Sequence, residues 1–198
     1  TVPKSASVLW ALADPRSQAA VAAAHRAAVH DALAFLQARA LVTRTGAGGC
    51  AQVPTRGMLA AAFDHWDTRT GDPNLHTHVV IANKVQGGDG GWRSLDSRAL
   101  HHAAVAVSEL YDDLFADHLA ARLTVRWGWR SRGQRRTPAY ELDGIDDRLL
   151  SAFSSRSAQV DAANAGSPGG LPRRARPRPH PGRGAEAAAT RNPDHPAG

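Results

Sequence analysis

Three histidines lie close together in the chain, His65 first and then His76 and His78 after a turn-forming segment, Thr70–Pro73. On a β-strand alternate side chains point to the same face, so His76 and His78 share a face. A third imidazole on a neighbouring strand, about 4.8 Å away, would complete a facial ligand set. Three neutral imidazoles leave coordination positions open for water or a substrate oxygen, as in catalytic metal sites. Spacing alone leaves open both a metal site and a merely polar strand face.

Two strands must position these histidines. We predict one strand over Met58–Trp66 and the next over Asn74–Val85. The Gly-Asp-Pro turn between them indicates an antiparallel hairpin. Shorter strands are predicted at 41–44, 51–53, 124–130 and 139–142.

Two long helices accompany the strands. Asp14 followed by Pro15 is typical of a helix start, and the Ala-rich sequence continues to about Ala40. The spacing of its apolar side chains predicts a single buried stripe, whereas its two histidines are five residues apart and are predicted to lie at the surface. The stripe comprises Val21, Ala24, Ala28, Ala32, Phe35 and Leu36, and the two histidines are His25 and His30.

The second long helix is predicted to start after a cap at Asp96 or Ser97 and to end near Leu123. Residues 2–12 fit either a strand or a buried helix, and a short helix is predicted over 145–153. We therefore expect an α+β fold, an antiparallel β-sheet with the two long helices packed on one face.

Composition changes abruptly near residue 165. Residues 166–198 hold seven of the twelve prolines and six of the eighteen glycines, with Leu171 as the only large aliphatic side chain. Such a segment cannot bury enough apolar area to offset its conformational entropy, so we predict a disordered tail. Its abrupt onset also fits an out-of-frame or broken end of the gene. The predicted division is a folded domain over 1–165 and a tail over 166–198.

The formal net charge of +6 suits a nucleic-acid partner, but six arginines against Glu186 and Asp194 place much of this charge in the tail. No apolar run is long enough to cross a bilayer, so no membrane partner is expected. Cys50 is the only cysteine, which excludes an internal disulfide framework and suits a reducing cytoplasm.

The stretch around the histidines resembles the TrwC/TraI-type conjugative relaxases, the MobF group of the HUH endonucleases. The matching string is DPNLHTHVVIAN over 72–83, and Phe63-x-His65 precedes it. Further matches are PKSASV at 3–8, AHRAAV at 24–29 and GWRSLD at 91–96, so the resemblance covers roughly residues 1–160. It implies a palm-like antiparallel sheet and a divalent metal ion (Mg, Mn or Zn) held by His65, His76 and His78.

The resemblance also implies an activity. Relaxases of this group cut one DNA strand at a plasmid's transfer origin when a tyrosine attacks the scissile phosphate, while the metal ion polarises that phosphate. The family's tyrosine and its acidic partner lie upstream of the PKS motif, where this sequence has only Thr1 and Val2. Tyr111 and Tyr140 match neither position. We therefore expect the metal-binding portion of a relaxase, truncated at the N-terminus and unable to nick by itself.

The expected partners are single-stranded or origin-of-transfer DNA and other conjugation proteins. Lys4, Arg69 and Arg93 lie in matched motifs and are candidates for phosphate contacts, and Trp66 or Trp92 for base stacking. A further basic cluster comprises Arg126, Arg130, Arg132, Arg135 and Arg136.

Two alternatives remain open from the sequence. The first is a metal-dependent phosphodiester hydrolase that uses a histidine-bound water, with Asp64 or Asp67 as general base. The second is a non-catalytic DNA-binding pseudo-enzyme or gene remnant.

Overall fold

A computed structural model describes residues 1–132, 137–156, 158–159 and 162. Its α-helices are α1 (Lys4–Leu12), α2 (Pro15–Ala40), α3 (Ser97–Ala120) and α4 (Asp147–Ala152), with a 3-10 turn at Ala47–Gly49. Its strands are β1 (Val42–Thr45), β2 (Ala51–Pro54), β3 (Ala60–Asp67), β4 (Pro73–Ile81), β5 (Val85–Gln86), β6 (Trp92–Arg93), β7 (Trp127–Arg130) and β8 (Ala139–Leu142). The predicted tail and two arginines of the predicted basic cluster, Arg135 and Arg136, lie outside the described residues.

The strands pair as four antiparallel hairpins, β1–β2, β3–β4, β5–β6 and β7–β8. Isolated bridges join Thr43 to Leu95 and Thr55 to Gly87, and so connect the first hairpin with the third. The α+β class with antiparallel pairing predicted from the sequence is confirmed. No helix within the described ranges is both long and apolar enough to cross a bilayer.

Helix α2 begins at Pro15 because the Asp14 carboxylate accepts hydrogen bonds from the backbone N–H groups of Arg16 (2.9 Å) and Ser17 (3.2 Å). Its predicted apolar stripe is buried except for Phe35, which is 38% exposed. Small side chains dominate this stripe, so α3 packs closely against α2. Larger side chains of α3 fill the space between the two helices. The buried residues that α3 supplies are Tyr111, Phe115 and Leu119.

The sequence left residues 2–12 open between a strand and a helix, and the structure has helix α1 there. The first turn of this helix is stabilised by residues that are distant in the sequence. The Glu141 carboxylate on β8 accepts from the backbone N–H of Ser5 (2.8 Å) and from its hydroxyl (2.5 Å). The same hydroxyl accepts from the N–H of Leu142 at 2.8 Å. Ser7 accepts from the N–H of Leu75 at 3.1 Å, so α1 is bonded to both β8 and β4. The two serines are fully buried, and the PKSAS motif therefore has a structural role.

Replacing Ser5 with alanine should lower the free energy of unfolding by about 1–3 kcal/mol, because Glu141 and the Leu142 N–H each lose a buried partner. Urea denaturation followed by circular dichroism measures this. Ser108→Ala is the matched control: this serine is exposed on α3, and its loss should change stability by less than about 0.5 kcal/mol. Equal losses in the two variants would contradict the role given to Ser5.

Candidate metal centre

The β3–β4 hairpin brings the three predicted histidines together. Its register pairs His65 with His76 and Phe63 with His78, and the ladder is regular from Ala60 to His65. A register shift follows between His65 and Asp67, next to the turn. His65, His76 and His78 therefore share one face, as the alternation of strand side chains predicts.

The three imidazoles converge on one point. Their ring centroids lie 5.3 Å (His65–His76), 4.9 Å (His65–His78) and 4.8 Å (His76–His78) apart. One ligand nitrogen from each ring lies within 4.8 Å of the others. The Nε2 atoms of His76 and His78 are 3.1 Å apart. Ligand nitrogens on an ion with bonds of about 2.1 Å would be separated by roughly 3.0–3.4 Å, so this pair already has the spacing of two ligands.

A backbone contact orients His76 for such a role. Its Nδ1 lies 2.6 Å from the carbonyl oxygen of Asn74. A carbonyl can only accept, so Nδ1 carries the proton and Nε2 presents its lone pair towards the other two rings. Hydrogen bonding of the second ring nitrogen in this way is what fixes the tautomer of metal-binding histidines.

The donor set fits a divalent ion. It consists of three imidazole nitrogens, which suit zinc, copper and related transition metals. His65 and His78 are exposed and His76 is half-buried, so the remaining coordination positions would face solvent. An oxygen of a substrate can reach such positions.

A hydrogen-bond chain that is buried at its helical end and exposed at Asp64 lies on the other face of the hairpin. Asp64 and Thr77 are paired across the ladder, and the Thr77 hydroxyl donates to the Asp64 carboxylate at 2.6 Å. His25 on α2 places Nε2 2.8 Å from Thr77 Oγ1 and Nδ1 2.7 Å from the hydroxyl of Tyr111 on α3. The chain therefore joins both long helices to the hairpin.

The direction of each hydrogen bond follows from its end at Asp64. The carboxylate only accepts, so the single hydroxyl proton of Thr77 is directed to it. Thr77 Oγ1 must then accept from Nε2–H of His25, and His25 Nδ1 must accept from the Tyr111 hydroxyl. His25 is thus neutral, in agreement with the burial that lowers its pKa to about 4. Burial also raises the pKa of Tyr111, which keeps its proton.

The sequence-based prediction for His25 was wrong, because this side chain is only 1% exposed. Both ring nitrogens find partners, and this makes its burial tolerable. One signal was available: His25 follows Val21 by four positions and precedes Ala28 by three, so it belongs to the buried stripe. His30 is exposed, as predicted.

The three candidate phosphate ligands have different surroundings. Lys4 donates to the backbone carbonyl of Pro73 at 2.9 Å, and its burial lowers its pKa. Arg93 forms a two-point ion pair with Asp89 (2.8 and 2.5 Å). Arg69 is exposed in the turn between β3 and β4. Lys4 and Arg93 thus make contacts within the protein, whereas Arg69 is at the surface beside the histidine hairpin.

The two tyrosines differ in their surroundings. Tyr111 is 9% exposed, and its hydroxyl donates to His25. Tyr140 lies on β8 and is 39% exposed, with its ring stacked on Trp127 at a centroid distance of 5.3 Å. Trp66 and Trp92, the candidate stacking residues, are both more than half exposed.

Comparison with known proteins identifies relatives. A family model described as TrwC relaxase matches residues 1–195. The multifunctional conjugation protein TraI of Escherichia coli is 28% identical over 168 residues, which are 82% of this chain and 9% of TraI. Among solved structures, conjugative relaxase TrwC in a copper-bound complex with oriT DNA is 30% identical, with a TM-score of 0.71. A metal-free TrwC complex with oriT DNA is 29% identical, with a TM-score of 0.69.

Each TrwC match covers 83% of this chain and 53% or 54% of the TrwC chain. The chain thus spans about half of the TrwC structures and about a tenth of TraI. These relatives confirm the resemblance noted in the histidine stretch and the fold class expected from it. TrwC has been solved both with and without metal, in each case with oriT DNA.

Acid should destabilise the fold through His25. An unfolded histidine takes up a proton near pH 6.5, whereas burial holds the folded pKa near 4. The folded state therefore binds fewer protons between these values, and the free energy of unfolding should fall by up to about 2 kcal/mol as the pH drops from 6.5 to 4. His25→Gln, which cannot titrate, should reduce this slope in urea denaturation with a chelator present.

His30→Gln is the matched control, since this histidine is exposed on the same helix and should leave the slope as in the wild type. The charged groups that face His25 are the Thr1 amino group, Arg26 and His76, which disfavour its protonation, and Asp64, which favours it. A wild-type slope in His25→Gln would show that His25 does not carry the acid sensitivity.

Proposed function

This chain belongs to the TrwC relaxase family, and we propose that it is the metal- and DNA-binding portion of a conjugative relaxase, which nicks one strand of plasmid DNA at the transfer origin. The observation that carries the proposal is the convergence of His65, His76 and His78 on one face of β3–β4, with two Nε2 atoms 3.1 Å apart. The chain spans about half the length of its TrwC relatives, so the nicking activity of a whole relaxase is a proposal for this chain.

The three histidines would hold the ion. When bound, a divalent ion withdraws charge from a phosphoryl oxygen and positions the phosphate for in-line attack. His76 contributes a fixed Nε2 lone pair, and the exposed rings of His65 and His78 leave room for the phosphate. Magnesium prefers oxygen ligands, so an all-imidazole set favours a transition metal such as zinc or copper over magnesium.

Exposed aromatic side chains beside the triad suit single-stranded DNA. Phe63 lies two residues before His65 and opposite His78, and it is 53% exposed. Trp66, the residue after His65, is 57% exposed. Bases of single-stranded DNA stack on such rings whatever the DNA sequence. Arg69, in the adjoining turn, can form an ion pair with a phosphate. The TrwC relatives were solved with oriT DNA, which supports DNA as the partner of this face.

The nucleophile is proposed to come from outside these residues, either from a connected segment or from another chain. Tyr111 is buried and donates its proton to His25, and burial raises its pKa, so no phenolate is available for attack. The hydrolase alternative requires a carboxylate facing a bound water. Asp64, one of the two candidate bases, instead accepts from Thr77 on the face opposite the histidines.

Metal binding gives the direct test. Isothermal titration with Zn²⁺, Mn²⁺, Cu²⁺ and Mg²⁺ should show tight binding of a transition metal and weaker binding of Mg²⁺. His76→Ala should weaken the transition-metal affinity at least tenfold, because it removes one of three ligands. His30→Ala, an exposed histidine outside the cluster, should bind as the wild type does. Equal affinity in His76→Ala and the wild type would refute the site.

DNA cleavage is tested separately. The protein, loaded with metal, is incubated with a single-stranded oligonucleotide that carries a transfer origin and is then analysed under denaturing conditions. We expect binding, seen as increased fluorescence anisotropy, but no covalent protein–DNA adduct, because Tyr111 is buried and Tyr140 lies outside the β3–β4 hairpin. An adduct would overturn the proposed lack of a nucleophile, and cleavage that persists in Tyr111→Phe/Tyr140→Phe would favour the hydrolase alternative.

A further inference from the structure

We propose that His25 is a positioning residue for the metal centre: through Thr77 and Asp64 it fixes the orientation of the hairpin on which the three histidines stand. This inference rests on the proposed metal-binding function. His25 touches none of the three imidazoles, and it would act on them only through the β3–β4 backbone.

The chain of hydrogen bonds meets the hairpin next to the three histidines. Thr77 lies between His76 and His78 on β4, and Asp64 directly precedes His65 on β3. Because strand side chains alternate between faces, hydrogen bonds that hold Thr77 and Asp64 on one side also hold the backbone from which the imidazoles project on the other. The hydrogen bonds from His25 therefore act at the level of the metal site itself.

Apolar packing holds this part of the hairpin only weakly. Every residue of β3 from Ala60 to Asp67 is exposed. On β4 only Leu75 is buried, at the end near the turn. Near His65 and His78, the hydrogen bonds through His25 thus hold the hairpin against the helices, in place of the buried apolar face that holds most hairpins.

The far end of the hydrogen-bond chain is anchored in the core. Tyr111 is 9% exposed and stacks on fully buried Phe115, with a centroid distance of 6.3 Å. His25 meets the Tyr111 ring edge-on at 5.8 Å. Each donor has one acceptor, so Thr77 cannot rotate without breaking bonds to both His25 and Asp64. A rigid core thereby fixes a residue that lies between two ligands.

A pair of Thr77 variants tests the proposal. Valine has nearly the shape of threonine and an equal or higher strand propensity, but it lacks the hydroxyl; serine keeps the hydroxyl. We expect Thr77→Val to bind Co²⁺ and Zn²⁺ about 10-fold or more weakly, the range seen when groups that orient metal ligands are lost. The visible spectrum of bound Co²⁺ should change with it. Thr77→Ser should stay within about twofold of the wild type in affinity and keep its spectrum.

Thr43→Val controls for general loss of stability. Thr43 is fully buried on β1 and donates to the carbonyl of Ser94 at 2.7 Å, so its hydroxyl is lost in the same way but outside the hairpin. We expect destabilisation without a change in metal affinity or in the Co²⁺ spectrum. A loss of affinity as large as that of Thr77→Val would mean that stability alone explains the effect, and would overturn the proposal.

Asp64 offers a second pair should Thr77→Val fold poorly, because this residue is exposed. Asp64→Asn and Asp64→Ala both lose the charge, but only Asn retains an oxygen that accepts from Thr77. Tighter metal binding by Asp64→Asn than by Asp64→Ala supports the proposal, and equal binding contradicts it. Absence of metal binding in the wild type would instead refute the metal function. Binding that depends on His76 but not on the Thr77 hydroxyl would refute only the role of His25.

Discussion

The pairing of His65 with His76 across β3 and β4 is the constraint on which the histidine face depends. Side chains alternate along a strand, so a slip of one residue would send His65 to the opposite face from His76 and His78. The hairpin turn sets this register. Gly71 has a φ of 79°, a left-handed conformation that glycine adopts without strain, and the N–H of Thr68 donates to the Asp72 carbonyl at 2.9 Å.

The two faces of this hairpin have different surroundings, and the rest of the fold follows from that difference. One face presents the imidazoles and the exposed ring of Phe63. The other meets α2 and α3 through His25, and its β4 edge is bonded to α1 through Ser7. Helix α1 in turn depends on Glu141 of β8, so hairpins that are separate in their hydrogen-bond ladders are linked by buried polar side chains.

Local patterns sufficed to predict the elements that depend on neighbours in the sequence. The caps at Asp14 and Asp96, the alternation of β4 and the turn before it were predicted correctly for this reason. Contacts between distant residues could not be read in the same way. Glu141 lies 136 positions from Ser5, and Tyr111 lies 86 from His25, so neither the helical state of residues 2–12 nor the burial of His25 had a local signal strong enough to decide it.

The single direction of the hydrogen bonds from Tyr111 to Asp64 has a consequence for proton movement. Every bond in the chain points towards Asp64, so Tyr111 is the group that would have to release a proton into it, and burial raises the pKa of that hydroxyl. Burial also lowers the pKa of His25 to about 4 and so opposes a charge on its ring near neutral pH. The chain is therefore mechanically continuous from the core to the hairpin, while burial opposes the movement of a proton along it.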